Sequence, residues 1–226
     1  METFVDFSSV AYLLADPSRA IMLAALLDGR ALPAGELAYA AGITAQTASA
    51  HLAKLLEGGL LTCETEGRHR YFRLAGPDVA QALEHLAVLS GSVRRKPLGT
   101  QGTTLRQARC CYDHLAGRLG VAITQSLVGH AYIVPIDGKQ YQITPDGLDW
   151  FESMGIRGLR PSRRGLARQC LDWTERSHHL AGPLGAGLLR ALCDKGWLRR
   201  SRSSRLVQIT PEGHAGLKAQ LGVDVP

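Results

Sequence analysis

"TAQTASAHLAKL", residues 44–55, runs into Glu57-Gly58-Gly59 and carries its apolar residues on one side of a helix. Ala48, Leu52, Leu55 and Leu56 recur at i, i+4, i+7 and i+8, the spacing of one buried face. Thr44 is a good N-cap, and the two glycines stop the helix. The outer face is left with Gln46, Thr47, Ser49, Ala50, His51 and Lys54. An ordinary solvated helix would carry long Glu and Lys pairs there. Small hydrogen-bonding side chains with a single Lys suit a surface that must approach the amide, carbonyl and methyl edges of a DNA major groove. Taken alone the window fits either reading, and its flanks decide between them.

Upstream, Val5–Ala15 reads as a first helix, and Asp16-Pro17 as an N-cap followed by proline at the first position of a second helix through Leu27. Gly29 ends that helix, and Pro33 introduces a short third one, "AGELAYAAG", which leads through Gly42 and Ile43 into the quoted stretch. Helix, tight glycine-containing turn, helix is the helix-turn-helix arrangement, whose second member enters the major groove. Downstream, "LLTCETEGRHRYFRL" is two extended runs around a charged tip, so a hairpin with a basic wing is predicted, with Arg68, His69 and Arg70 at its tip and Arg73 behind them. Pro77 then starts a last helix, Asp78–Ser90, with an apolar stripe of Val79, Leu83, Leu86 and Leu89.

"LADPSRAIMLAAL", "ELAYAAGITAQTASAHLAKLLEGGLL" and "EGRHRYFRL" together resemble the winged-helix repressors of the ArsR/SmtB family, across about residues 5–90 and in the family's order and spacing. The resemblance implies a homodimer built on the first and last helices. It also implies a recognition helix at 45–57 with Ser49 and His51 facing DNA, a wing at 65–70, and repression released by an effector. The chain departs from the family's metal sites. The third helix holds no cysteine, and the last helix offers only Asp78, Glu84 and His85, so neither of the usual ligand sets is complete.

With 226 residues, 45% hydrophobic and 20% charged, the chain has room for one large or two small globular domains. The start is acidic where a signal peptide is basic, and the longest apolar run, Ile21–Leu27, is too short to cross a bilayer, so a cytoplasmic protein with no membrane partner is expected. Five cysteines, an odd number with no C-x-x-C pair, imply neither a disulfide framework nor a ribbon-type zinc site. The net charge of +6 suits a polyanionic partner, yet residues 1–91 hold six Lys and Arg against ten Asp and Glu. DNA binding would therefore rest on the local cations of the wing.

Residues 92–102, "SVRRKPLGTQG", have linker composition, which divides the chain into a DNA-binding and dimerisation domain (1–91) and a C-terminal domain (103–226). The second domain repeats itself, in copies of about 103–158 and 159–226. "ARCCYDHLAGRLG" (108–120) matches "ARQCLDWTERSHHLAGPLG" (167–185), and "YQITPDG" (141–147) matches "VQITPEG" (207–213). The matched cysteines are 59 residues apart, the His-Leu-Ala-Gly motifs 65 and the Ile-Thr-Pro motifs 66, a steady offset after one insertion of about "WTERSH". Each copy reads as two helices, a hairpin and a Thr-capped helix, so the predicted fold is mainly α with small β-hairpins, a winged helix-turn-helix followed by two repeated winged-helix-like units.

A duplicated pair that packs about a pseudo-twofold axis brings equivalent residues together: Cys111 with Cys170, Asp113 with Asp172, His114 with His179. Cys111, His114, Cys170, Asp172 and His179 are thus a candidate effector site for a thiophilic metal, a metalloid or an oxidant. The same motif is equally compatible with a helix-packing signature, since cysteine is among the most buried residues. Cys110 and Cys193 have no equivalent and read as core, and Cys63 lies on the wing strand. The predicted function is a sequence-specific repressor that binds a double-stranded DNA operator as a homodimer and is released by an effector. The competing readings are an interaction module that kept the fold without DNA binding, or an enzyme using Cys170 with His179, or Asp172 with Glu175. No glycine-rich phosphate loop, H-E-x-x-H motif or nucleophile elbow supports an enzyme.

Overall fold

The computed structural model describes residues 7–67, 69–89, 105–163 and 165–224. The expected linker at 92–102 and Arg68 of the wing lie outside the described residues. The chain divides into two compact units, Met1–Glu84 and His85–Pro226.

In the first unit, α1 (Ser8–Ala15) is followed by α2 (Pro17–Ala25), and Asp16 caps α2 by accepting a hydrogen bond from the Arg19 backbone N–H at 3.0 Å. Arg19 is only 4% exposed. Its Nε donates to the Leu13 carbonyl at 2.7 Å and its Nη2 to the Tyr12 carbonyl at 2.6 Å, so the guanidinium satisfies the carbonyls that the end of α1 leaves without helical partners. After a 3-10 turn at Leu26–Asp28 and a short strand, β1 (Leu32–Pro33), helix α3 (Ala34–Ala41) stops at Gly42. Gly42 has φ 68, in the left-handed region that glycine enters without strain. Helix α4 (Ala45–Glu57) then begins at its cap, the Thr44 hydroxyl accepting from the Thr47 N–H at 3.2 Å.

The wing is β2 (Leu61–Glu66) and β3 (His69–Leu74), with β1 on its other side in the order β1-β3-β2. Helix α5 (Pro77–Leu89) follows, and its Val79 and Leu83 pack on the unit's core. Met22, Leu23, Leu26, Leu37, Leu52 and Leu55 are essentially sealed there, which joins α2, α3 and α4 into one body. Truncating Leu52 or Leu55 to Ala removes about 2–5 kcal/mol from such a core.

The second unit keeps the expected mixture of helices and small hairpins and corrects the first element of each copy. The Cys-Asp-His motif lies on a β-hairpin and not on a helix. The first matching segment runs β4 (Arg109–Cys111), β5 (His114–Ala116), α6 (Gly117–Gly129), β6 (Ile133–Ile136), β7 (Gln140–Ile143) and α7 (Pro145–Ser153). The second runs β8 (Arg168–Leu171), β9 (His178–Ala181), α8 (Gly182–Asp194), β10 (Leu198–Arg200), β11 (Val207–Ile209) and α9 (Pro211–Leu221). The physical reason for the misreading is burial on both faces. A short strand sealed on both sides loses its polar alternation and reads like a helical segment, and all of β4 and β5 is buried. The wing-like hairpins and the Thr-capped helices are where the sequence places them: Thr144 and Thr210 accept from Gly147 and Gly213 N–H at 3.0 and 2.9 Å.

The two segments exchange strands. The first segment's wing joins the second segment's Cys hairpin in a four-stranded sheet, β6-β7-β8-β9, through the pairing Gln140↔Arg168. Reciprocally, Arg109 of β4 bridges to Leu206 beside β11. Leu119, Ile123 and Leu127 of α6, Ile133 of β6, and Leu189 and Leu192 of α8 form the sealed centre of one continuous core.

Candidate functional site

Two surfaces carry chemistry, one in each unit. In the first, the buried face of α4 fixes which side chains point out. Gln46, Thr47, Ser49, Ala50 and Lys54 are exposed. The Thr47 hydroxyl lies 2.9 Å from that of Thr44, and the Ser49 hydroxyl donates to the Ala45 carbonyl at 2.9 Å; Gln46 and Lys54 are the long exposed polar groups, with the Lys54 Nζ 6.0 Å from the centre of the Tyr12 ring. His51 departs from the expectation that it faces outward. Its ring is 17% exposed and its Nδ1 is 4.0 Å from Asp16 Oδ1, which turns it toward the start of α2. On the wing, His69 and Arg70 are exposed; Arg70 lies over the Phe72 ring at 5.3 Å with its Nε 3.3 Å from Cys63 Sγ. Arg73 is engaged by Glu64 at 3.0 Å.

In the second unit the Cys hairpins converge. The ligand atoms of Cys111, His114, Cys170 and His179 all lie within 4.8 Å of one another. Cys111 and His114 face each other across β4 and β5, and Cys170 and His179 across β8 and β9, so each segment supplies one sulfur and one imidazole. The two Nε2 atoms are 3.1 Å apart, one donating to the other. Each ring turns its Nδ1 to a carboxylate: His114 to Asp113 at 2.9 Å, and His179 to Asp172 at 3.4 Å, an ion-pair distance more than a well-formed hydrogen bond. Burial pushes both imidazoles down in pKa, but the carboxylates and the Cys111 thiol outweigh it and raise them.

Close packing holds the cluster in place. A Cβ on Gly120 of α6 would sit 3.6 Å from the Cβ of His179 and one on Gly185 of α8 3.3 Å from that of His114, so each helix backs onto the other segment's histidine. Thr124 of α6 accepts from the Leu180 N–H at 2.8 Å, tying the same two segments.

Asp172 stands apart from the other four candidates. It is fully buried and is not one of the four residues whose donor atoms converge. Arg109 Nη2 donates to both its oxygens at 2.9 and 3.0 Å, the Gly117 N–H at 2.7 Å, and the Thr174 N–H and hydroxyl at 2.9 and 2.7 Å. Burial would raise its pKa, but these contacts, with His179 and Arg109 foremost, hold the carboxyl far below the usual range. It is therefore a fixed anion behind His179, with no proton to exchange. Arg109, which stacks near Trp173 at 5.3 Å, is the residue that sequence reasoning missed. An unexplained Arg beside two cysteines carries no pattern until its partner, 63 residues away, is known. Cys110 and Cys193 lie in or against the core, where burial pushes both thiols up.

The chain matches a helix-turn-helix domain family over residues 14–64. It is 42% identical over 224 residues to YdfF of Bacillus subtilis, an uncharacterized HTH-type transcriptional regulator, covering 97% of this chain and 99% of that one. The chain belongs to the HTH-type transcriptional regulators. The regulator is also 44% identical over 73 residues to CmtR of Mycobacterium tuberculosis, which covers 32% of this chain and 61% of that relative. Among solved structures it is similar to a homodimeric winged helix-turn-helix domain from Mycobacterium bovis, at 31% identity and a TM-score of 0.36, over 40% of this chain and 91% of that one. As a member of this family the regulator is not an enzyme. The similarity to YdfF runs through both units, so the regulator shares its second unit with a relative.

Proposed function

We propose that the regulator is a repressor that binds a double-stranded DNA operator as a homodimer and releases it when an effector reaches Cys111, His114, Cys170 and His179. The observation that carries the DNA-binding part is α4. A sealed apolar face leaves Gln46, Ala50 and Lys54 on one exposed side, with an exposed Arg70 on the wing that follows. Gln bonds adenine bidentately, Ala meets a thymine methyl, and Lys and Arg neutralise phosphates. Exposed apolar residues on α1 (Val10, Tyr12) and at the end of α5 (Leu86, Leu89) favour a second copy as the dimer partner. A twofold dimer presents two α4 helices to half-sites about one helical turn apart. The clustered thiols and imidazoles favour a metal, a metalloid or an oxidant as the effector. No single helix among the described residues is long and apolar enough to cross a membrane, which agrees with a cytoplasmic site of action on DNA.

The test is binding of the full chain to its own upstream region across a salt series, with and without zinc, arsenite, mercuric ion and peroxide. A specific complex whose affinity falls steeply with salt, and which one of these agents releases, supports the reading. Affinity that ignores salt and sequence would leave an interaction module instead.

A further inference from the structure

We propose that Cys111, His114, Cys170 and His179 form a four-coordinate site for one divalent, borderline-soft cation of the zinc class, clamping the two segments of the second unit together. As a sensor this site rests on the function proposed above; as a metal site it stands on its own geometry. Two sulfurs and two imidazole nitrogens are the donor set that zinc takes in closed tetrahedral sites. Zn–N bonds of about 2.0–2.1 Å and Zn–S bonds of about 2.3 Å put tetrahedral neighbours about 3.3 Å (N to N) to about 3.8 Å (S to S) apart. The two Nε2 atoms are already at 3.1 Å, and all four donor atoms fall within 4.8 Å, so small side-chain adjustments suffice.

The second observation is the orientation of the rings. Each histidine turns Nε2 into the cluster and Nδ1 onto a carboxylate, Asp113 or Asp172, the arrangement that fixes tautomer and basicity in carboxylate-histidine-metal sites. Asp172 is in turn held by Arg109, Thr174 and the Gly117 N–H, so its oxygens are spent on positioning and not on ligation. The charge also balances: two thiolates neutralise a divalent ion, and Arg109 offsets Asp172. Binding displaces the proton shared between the two imidazoles and one from each thiol to solvent, so affinity rises with pH. A trivalent metalloid that seeks three thiolates finds only two here.

The experiment uses the full-length protein, reduced and chelator-stripped, titrated with Co²⁺ and then Zn²⁺ in the absence of DNA. One Co²⁺ per chain, with tetrahedral ligand-field bands and sulfur-to-metal charge transfer that Zn²⁺ abolishes, is expected. Cys111→Ser and Cys170→Ser should each cut the charge-transfer intensity by about half, since each removes one of two thiolates, whereas Cys63→Ser and Cys193→Ser should leave it intact. Asp113→Asn, at a half-exposed position that perturbs folding little, should keep the spectrum and weaken binding by about 10-fold or more. Six-coordinate Co²⁺ spectra, binding unaffected by both Cys→Ser changes, or an unaltered melting temperature on adding Zn²⁺ would each overturn the site. Operator binding is measured separately, so loss of the repressor reading leaves the metal stoichiometry standing, and the reverse.

Discussion

Replacing Arg109 with Met tests how the second unit is held together. Asp172 is completely buried, and among the described residues the Arg109 guanidinium is the permanently charged cation paired with it. Methionine keeps the length of the stem but loses the guanidinium that lies over the Trp173 ring, and leaves the carboxylate with neutral donors and His179 alone. Breaking a buried ion pair costs about 3–5 kcal/mol, because the surviving charge stays desolvated. Asp172 retains the Gly117, Thr174 and Glu175 N–H groups and the Thr174 hydroxyl, so the lower end, about 3 kcal/mol, is expected. For a unit of this size that lowers the melting temperature by about 6–12 °C. All three tryptophans, Trp150, Trp173 and Trp197, lie in the second unit, so intrinsic fluorescence follows its unfolding without interference from the first. The measurement is made with chelator present, to remove any metal contribution. Asp172→Asn should also destabilise, and the double variant should be more stable than the two losses added together, by about 1–3 kcal/mol. A shift below about 2 °C for Arg109→Met, or strict additivity in the cycle, would refute the buried pair as a structural element.

Gln46→Ala should cost operator binding about 1–3 kcal/mol and relax preference at one base, as read by competition between operator variants. His51→Ala should cost less, because the ring is turned toward Asp16; an equal loss would show that it swings out on DNA. Arg70→Ala should weaken binding to all duplexes alike and reduce the slope of affinity against salt by about one, and a sequence-selective loss would count against a phosphate contact. Leu89→Glu, at a side chain 79% exposed, should shift sedimentation from dimer to monomer at micromolar concentration, and an unchanged dimer would place the interface elsewhere. Gly185→Ala should lower the tryptophan-detected melting point by the about 1–3 kcal/mol typical of overpacking, since its Cβ would come 2.4 Å from the Leu180 carbonyl; a neutral effect would mean the α8 seam is loose.

The first unit was legible because its signals are local and redundant. Thr44 caps α4, Asp16-Pro17 opens α2, glycines end three elements, and the apolar period agrees with each boundary. The role of Arg19 was not legible: an arginine on a helix reads as solvated, and only the bend after α1 brings the Tyr12 and Leu13 carbonyls to it. In the second unit, the internal match pointed to which cysteines and histidines are equivalent, since equal spacing survives whatever structure carries it. It did not reveal the structure itself. A two-residue turn at Tyr112-Asp113, with Tyr112 at φ 63, reverses the chain where no glycine marks it, so the hairpin left no turn signature. His51 shows the opposite limit. Helical spacing places it on the outer face of α4, and a tertiary neighbour, Asp16, decides where the ring turns.

The two Cys hairpins share one plan and differ in what surrounds it, and the difference follows from the six extra residues in the second. In β4–β5 the turn is tight, so Asp113 sits at its tip, half in solvent, and pairs with the adjacent His114. In β8–β9 the longer connection folds back, with the Asp172 N–H donating to the Ser177 carbonyl at 2.9 Å and the Thr174 and Glu175 N–H groups turned onto the Asp172 carboxylate. That closure carries the carboxylate inward, where a lone anion would be prohibitively costly unless a cation were buried with it. Arg109 comes from the other segment's hairpin, on the strand that also carries Cys111. One segment's anion thus cannot be sealed without the other segment's strand in place, and that strand brings Cys111 and His114 to Cys170 and His179. The buried pair sets the register of the seam, and the register sets the four donors.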